Sequence, residues 1–268
     1  MIIKKIILSL LVVIVVSFTL NRGGDAPVFS IAAPKERIPI LMYHKVNPYF
    51  YRSGLGLRVP PRDFEAQMKY LKEQGYNTIS LDQLMDYRTA NKPLPARPII
   101  ITFDDGYEDN FRFAYPILKK YGYTATIFLV YNQIGGYNAW DAQHSVAHRI
   151  KLLSLPQIRV MQKYGISFQS HTLTHRDLTS LNAKDAQSEI NISKKTLEKA
   201  LGMQVNFLAY PYGRRSPITD QMVRKAGYRG SVSTMMGKNS ATTDPFILKR
   251  LRVTGHMKLD SFAKMIER

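Results

Sequence analysis

From Ile38 to its C-terminus the chain alternates short apolar runs with longer amphipathic stretches, and that alternation leaves few folds open. The runs at 38–43, 77–80, 98–103, 124–130, 166–170, 205–210 and 230–234 have strand length. Between them, residues 63–71 and 183–201 place apolar side chains at helical spacing, and Gly202 stops the second of these stretches. A last candidate helix covers 259–266. Repeated β-α units bury their apolar faces by packing helices around a mostly parallel sheet, so a barrel or an open sheet is expected. Seven candidate strands fit a barrel, and the length together with the absence of any internal repeat or low-complexity tract points to one α/β domain over 34–268.

Residues 1–33 read differently. Lys4 and Lys5 precede an apolar run, 6–20, in the layout of an export signal. The small-residue pattern Ser30-Ile31-Ala32 lies well beyond that run, so a cleaved signal peptide and an uncleaved membrane anchor are both open. Either one puts the domain outside the cytoplasm, secreted or held at the cell surface. Only Lys4, Lys5, Arg22 and Asp25 of the charged residues fall in this segment, so nearly all of the net charge of +18 belongs to the domain. Outside a cell such a charge favours lipid headgroups or acidic wall polymers over nucleic acid, and a solvated basic surface explains it equally well. No nucleic-acid partner is expected, and a monomer is. The chain has no cysteine, which rules out disulfides and thiolate metal sites and leaves His, Asp and Glu as ligands.

Three segments carry chemistry. Thr102-Phe103-Asp104-Asp105-Gly106-Tyr107 ends the apolar strand 98–103 with two carboxylates. In parallel α/β folds catalytic groups collect at that end of a strand, and a buried acid pair there calls for a cation. Neighbouring strand residues point opposite ways, so one carboxylate can serve a metal and the other a water or proton. His171-Thr172-Leu173-Thr174-His175 follows strand 166–170, and its imidazoles can share an ion if the segment turns back in a helix-like way. Two histidines and one aspartate suit zinc or a similar divalent ion. Ala209-Tyr210-Pro211-Tyr212-Gly213 breaks a strand into a turn that gathers aromatic rings and backbone N–H groups, as sugar stacking and an oxyanion require. An ordinary strand-ending turn would look the same. Trp140, the only tryptophan, lies in the long stretch 131–145 and reads equally as core or as a platform for a sugar face.

Taken together, the TFDDG, HTLTH and AYPYG segments resemble those of the polysaccharide deacetylase family, also called carbohydrate esterase family 4 or the NodB-homology domain. The resemblance runs from about Ile38 to the end. It implies a distorted (β/α)7 barrel that hydrolyses acetyl groups from an acetylated polysaccharide. It also implies one divalent ion on Asp105, His171 and His175, with Zn2+ first and Co2+, Ni2+ or Fe2+ as alternatives. In the same family Asp104 would be the general base and the Tyr212 backbone N–H would hold the oxyanion.

The chain departs from the commonest family pattern at Ala209, where an arginine usually orients the base. The acid histidine is displaced as well. Leu41-Met42-Tyr43-His44-Lys45-Val46 is similar to the branch that deacetylates poly-β-1,6-N-acetylglucosamine of biofilm matrix, which makes His44 the general acid in preference to His256. Peptidoglycan and chitin oligomers are alternative substrates. Two other classes remain in view: an iron oxygenase, since two histidines and a carboxylate also form its facial triad, and a non-catalytic glycan-binding surface protein, prompted by Ala209.

Overall fold

A computed structural model describes residues 37–48, 55–140 and 149–267. The leader 1–33, His144, His148 and parts of the loop-like stretches 47–61 and 131–145 lie outside the described residues. Among the described residues no helix is long and apolar enough to cross a membrane.

The expected barrel is present. Strand β1 (Ile40–Tyr43) is followed by a short pair, β2 (Lys45–Val46) and β3 (Arg58–Val59), then helix α1 (Pro61–Glu73), β4 (Asn77–Thr78) and α2 (Leu81–Ala90). Next come β5 (Pro98–Phe103), α3 (Tyr115–Tyr121), β6 (Thr126–Leu129), α4 (Leu155–Tyr164), β7 (Ser167–Ser170) and α5 (Ala183–Leu201). The chain continues with β8 (Phe207–Ala209), α6 (Pro217–Lys225), β9 (Gly230–Met236), β10 (Leu248–Arg252) and α7 (Leu259–Glu267). The sheet runs β1-β10-β9-β8-β7-β6-β5, and β1 also pairs with β5, from Ile40↔Ile100 to Tyr43↔Phe103, closing seven parallel strands into a ring.

The ring differs from the expected one by one strand. Residues 77–80 do not enter it: β4 adds to the outer edge of β5 through Asn77↔Pro98 and Thr78↔Ile99. The seventh place belongs to β10, Leu-Lys-Arg-Leu-Arg, whose charges disguise a barrel strand. Arg250 is fully buried there because it finds a carboxylate inside the barrel, which offsets the cost of burying its charge.

Helix ends follow local chemistry. Helices α2, α4 and α6 open on capping boxes at Ser80, Ser154 and Ser216, and α5 runs from an Asn182 cap to a left-handed Gly202. Alternation along the strands then splits the core in two. One set, including Leu41, Tyr43, Phe103, Ile127, Phe168 and Leu208, packs under the helices. The other, Ile40, Ile100, Phe128, Phe207, Ala209, Val232 and Leu248, fills the lower barrel with Ile79, Leu81, Leu84 and Met85. That apolar floor leaves the carboxyl ends of the strands as the place for polar groups.

Candidate metal centre

At the carboxyl end of β5 the backbone turns left-handed at Asp105 (φ 74°) and Gly106 (φ 71°). A side chain at Gly106 would put its Cβ 2.7 Å from Leu129 Cδ2, so the turn needs glycine. The turn brings Asp104 and Asp105 into one cavity, where simple strand alternation would have sent them to opposite faces. The HTLTH segment is also not the helix-like turn expected from its spacing. It is an irregular loop with left-handed residues at Thr172 (φ 66°) and His175 (φ 65°). The buried Glu189 carboxylate on α5 holds it, accepting from the Leu173 and Thr174 N–H groups at 2.9 Å each and from the Thr174 hydroxyl. The Thr172 hydroxyl accepts from His175 N–H at 3.1 Å. With Tyr212 (φ 58°), four of the six non-glycine residues of positive φ among the described residues belong to this site, so backbone strain is concentrated where side chains must converge.

The convergence has the dimensions of a metal site. His171 Nε2 and His175 Nε2 each lie 3.3 Å from Asp105 Oδ1, and all three groups are buried. Two ligand atoms about 2.0–2.1 Å from a tetrahedral ion lie about 3.3–3.4 Å apart, so both aspartate–histidine spacings suit such an ion, and all three donor atoms lie within 4.8 Å of one another. His171 Nδ1 donates to the Ala209 carbonyl at 2.8 Å, which turns Nε2 toward the centre. The His175 ring stacks on Trp140, with centroids 4.4 Å apart, and meets Tyr212 edge-on at 4.8 Å. Burial works against the charge of Asp105, yet hydrogen bonds from both histidines hold its carboxyl well below the usual carboxylate range.

Asp104 is treated differently. Arg250 grips it with two hydrogen bonds of 2.7 Å, and the same guanidinium donates to the Ser233 carbonyl and the Thr102 hydroxyl. Burial tends to raise the Asp104 pKa, but Arg250 keeps it below the ordinary value. Arg250 therefore brings a guanidinium to Asp104 from β10, where position 209 on β8 offers none. No local motif announces it. The available signal was the unpaired demand of a buried acid pair, together with an arginine at the inward position of an apolar-flanked run.

His44 sits at the end of β1 with Nε2 3.8 Å from Asp104 Oδ2. Burial pushes its imidazole below the ordinary value, against the pull of Asp104 and Asp105. Asn110 Nδ2 donates to the His44 carbonyl at 2.9 Å, and Asp109 accepts from Val46 N–H and Asn47 Nδ2, which pins the histidine's backbone and the residues just after it. His256, by contrast, is exposed and lines a separate cleft between the starts of α1 and α7. The cavity over the centre is about 260 Å3 and is walled by His44, Leu57, Tyr107, Trp140, Tyr212, Thr234 and Arg252. Trp140 is half-buried and Tyr212 half-exposed, so both rings face the opening.

Known proteins of similar sequence and structure point to one family. The chain is 37% identical over 231 residues to YxkH of Bacillus subtilis, named as a polysaccharide deacetylase, covering 86% of this chain and 76% of that one. It is 27% identical over 288 residues to the poly-β-1,6-N-acetyl-D-glucosamine N-deacetylase of Staphylococcus aureus, covering 98% and 94%. The solved structure of the Streptococcus pyogenes deacetylase PplD, in complex with acetate, superposes with a TM-score of 0.76 at 30% identity, covering 88% of this chain and all of that one. A model of the polysaccharide deacetylase domain matches residues 91–231, the span that holds Asp104, Asp105, His171, His175 and Tyr212. The chain belongs to the polysaccharide deacetylase family, hydrolases that remove acetyl groups from glycans.

Proposed function

We propose that the chain removes N-acetyl groups from poly-β-1,6-N-acetylglucosamine outside the cytoplasm, using one divalent ion held by Asp105, His171 and His175. The observation that carries the chemistry is the pairing of a preformed ligand triad with a second buried carboxylate, Asp104, clamped by Arg250 in the same cavity. The substrate reading leans on the Staphylococcus aureus relative, which aligns over nearly the whole chain, and on the strand ending in His44. Export leans on Lys4, Lys5 and the apolar run at 6–20, as signal or anchor. Zinc is the ion that the His-His-Asp donor set suits best.

When bound, the ion supplies a Lewis acid for the acetyl carbonyl and makes a neighbouring water more acidic. Asp104 takes the proton of the attacking water, and Arg250 keeps that carboxylate ionised and aimed. The Tyr212 backbone N–H faces the tetrahedral oxyanion. As the carbon–nitrogen bond breaks, His44 hands a proton to the departing sugar nitrogen, and acetate and a glucosamine unit leave. Trp140 and Tyr212 flank the sugar ring at the opening. The reason for considering a purely glycan-binding role was the missing arginine at position 209, and β10 supplies one at Arg250.

Acetate release from matched β-1,6- and β-1,4-linked N-acetylglucosamine oligomers tests the substrate. Faster turnover of the β-1,6 chain is expected. Preference for the β-1,4 chain would replace this substrate with chitin-like or peptidoglycan glycan and leave the chemistry standing.

A further inference from the structure

Strand β10 delivers two arginines to the barrel axis in successive layers, since residues two apart on a strand share a face and lie about 6.7 Å apart. The lower one, Arg250, is fully buried and its charge is taken up by Asp104. The upper one, Arg252, is exposed and lines the mouth of the cavity beside His44, Leu57 and Thr234. It has no hydrogen bond or ion pair among the described residues. The two carboxylates of the cavity are already engaged, Asp104 by Arg250 and Asp105 by the histidines. Among the described residues nothing acidic lining the cavity is left to neutralise Arg252, and Arg214 beside Tyr212 is itself paired with Asp177.

This matters because the reaction changes the charge of its own substrate. An N-acetylated sugar is neutral, whereas each hydrolysed unit carries an amine that is protonated near neutral pH. Resting on the deacetylase reading above, we propose that Arg252 is a specificity-determining residue that turns the enzyme away from glycan stretches already bearing free ammonium groups. The sugar presented to the metal centre is thereby selected from among acetylated neighbours. Like charges a few ångströms apart in a partly desolvated mouth repel, and rejecting the wrong partner by repulsion is how many sites gain selectivity. The magnitude expected of one such pair is a fivefold to tenfold preference, about 1 to 1.4 kcal/mol.

The test compares two oligomers of one length and linkage, one fully acetylated and one with a single glucosamine next to an acetylated unit. The wild-type protein should favour the first by about fivefold to tenfold in kcat/KM, with the ratio shrinking as salt is raised. Arg252→Lys should keep the preference, Arg252→Gln should bring the ratio close to one, and Arg252→Glu should reverse it. Equal wild-type rates on both oligomers, or an undiminished preference in Arg252→Gln, would overturn the proposal. Acetate release from the fully acetylated oligomer reports separately on the deacetylase reading. If neither oligomer yields acetate, that reading fails, and quenching of Trp140, the sole tryptophan, still decides the role of Arg252. Weaker binding of the amine-bearing oligomer to wild type, relieved in Arg252→Gln, supports it, and equal binding refutes it.

Discussion

Below the level of Thr102 the barrel interior is an oily plug of Ile40, Ile100, Phe207, Val232 and Leu248, and above it Asp104, Asp105, His171, His175, Arg250 and Arg252 bring charge or imidazoles to the axis. The two halves are set by the same alternation of the same strands, yet they differ in what each residue needs. The lower half asks only for volume and apolar surface, and many side chains would meet that demand. The upper half asks each group to find one partner: Arg250 for Asp104, two imidazoles for Asp105, Ala209 carbonyl for His171, Glu189 for the loop between the histidines. Stability can be traded among neighbours in the floor. Function in the mouth cannot be traded, because the partners come from separate elements of the fold.

The sharpest way to break the contrast is at Asp104. Asp104→Asn keeps the shape and the ligand triad, so acetate turnover should fall by about 10²–10⁴-fold while the protein still binds one ion. Unchanged turnover would move the base elsewhere. Arg250→Met comes next. It strands a carboxylate in the interior and should cost about 3–5 kcal/mol in urea unfolding, whereas the double change Asp104→Leu with Arg250→Met should recover much of that stability without recovering activity.

Asp109 gives an effect readable by pH. Burial raises its pKa to about 6, above the ordinary 3.8, so the folded protein binds this proton more tightly than the unfolded chain does. Its ionisation therefore costs stability that is fully felt above about pH 6 and disappears below the unfolded value. On lowering the pH from about 6 to about 4, wild type should gain stability relative to Asp109→Asn by about 2 to 3 kcal/mol. A difference that stays flat across that window would show that Asp109 is not desolvated. The smallest effect belongs to the floor. Ile100→Val should cost about 0.5–1.5 kcal/mol and leave kcat/KM within error, and a large catalytic loss there would erase the distinction between the halves.

That distinction also governs how much could be read in the sequence. Asp104, Asp105, His171 and His175 were legible because each pair sits in a contiguous motif at a strand end, and the structure brings all four into one cavity. The barrel was legible from apolar runs of strand length. Strand β10 was not, because Lys249, Arg250 and Arg252 interrupt its apolar pattern, and the carboxylate that lets Arg250 be buried, Asp104, lies 146 positions away. The same distance hid Arg250. The left-handed turns at Asp105, Thr172 and His175 were equally hidden, since non-glycine residues adopt them only when surrounding hydrogen bonds hold them there. Local chemistry was written locally, and partnerships across the barrel were not.

The most direct test of the account is acetate release from a fully acetylated β-1,6-N-acetylglucosamine oligomer by protein stripped with a chelator and then reloaded with one equivalent of zinc. The account predicts no release from the stripped protein, restoration by zinc, and no restoration in a His171→Ala variant, whose triad is broken. Full release from the stripped protein, or zinc restoration in His171→Ala equal to that of wild type, would contradict it.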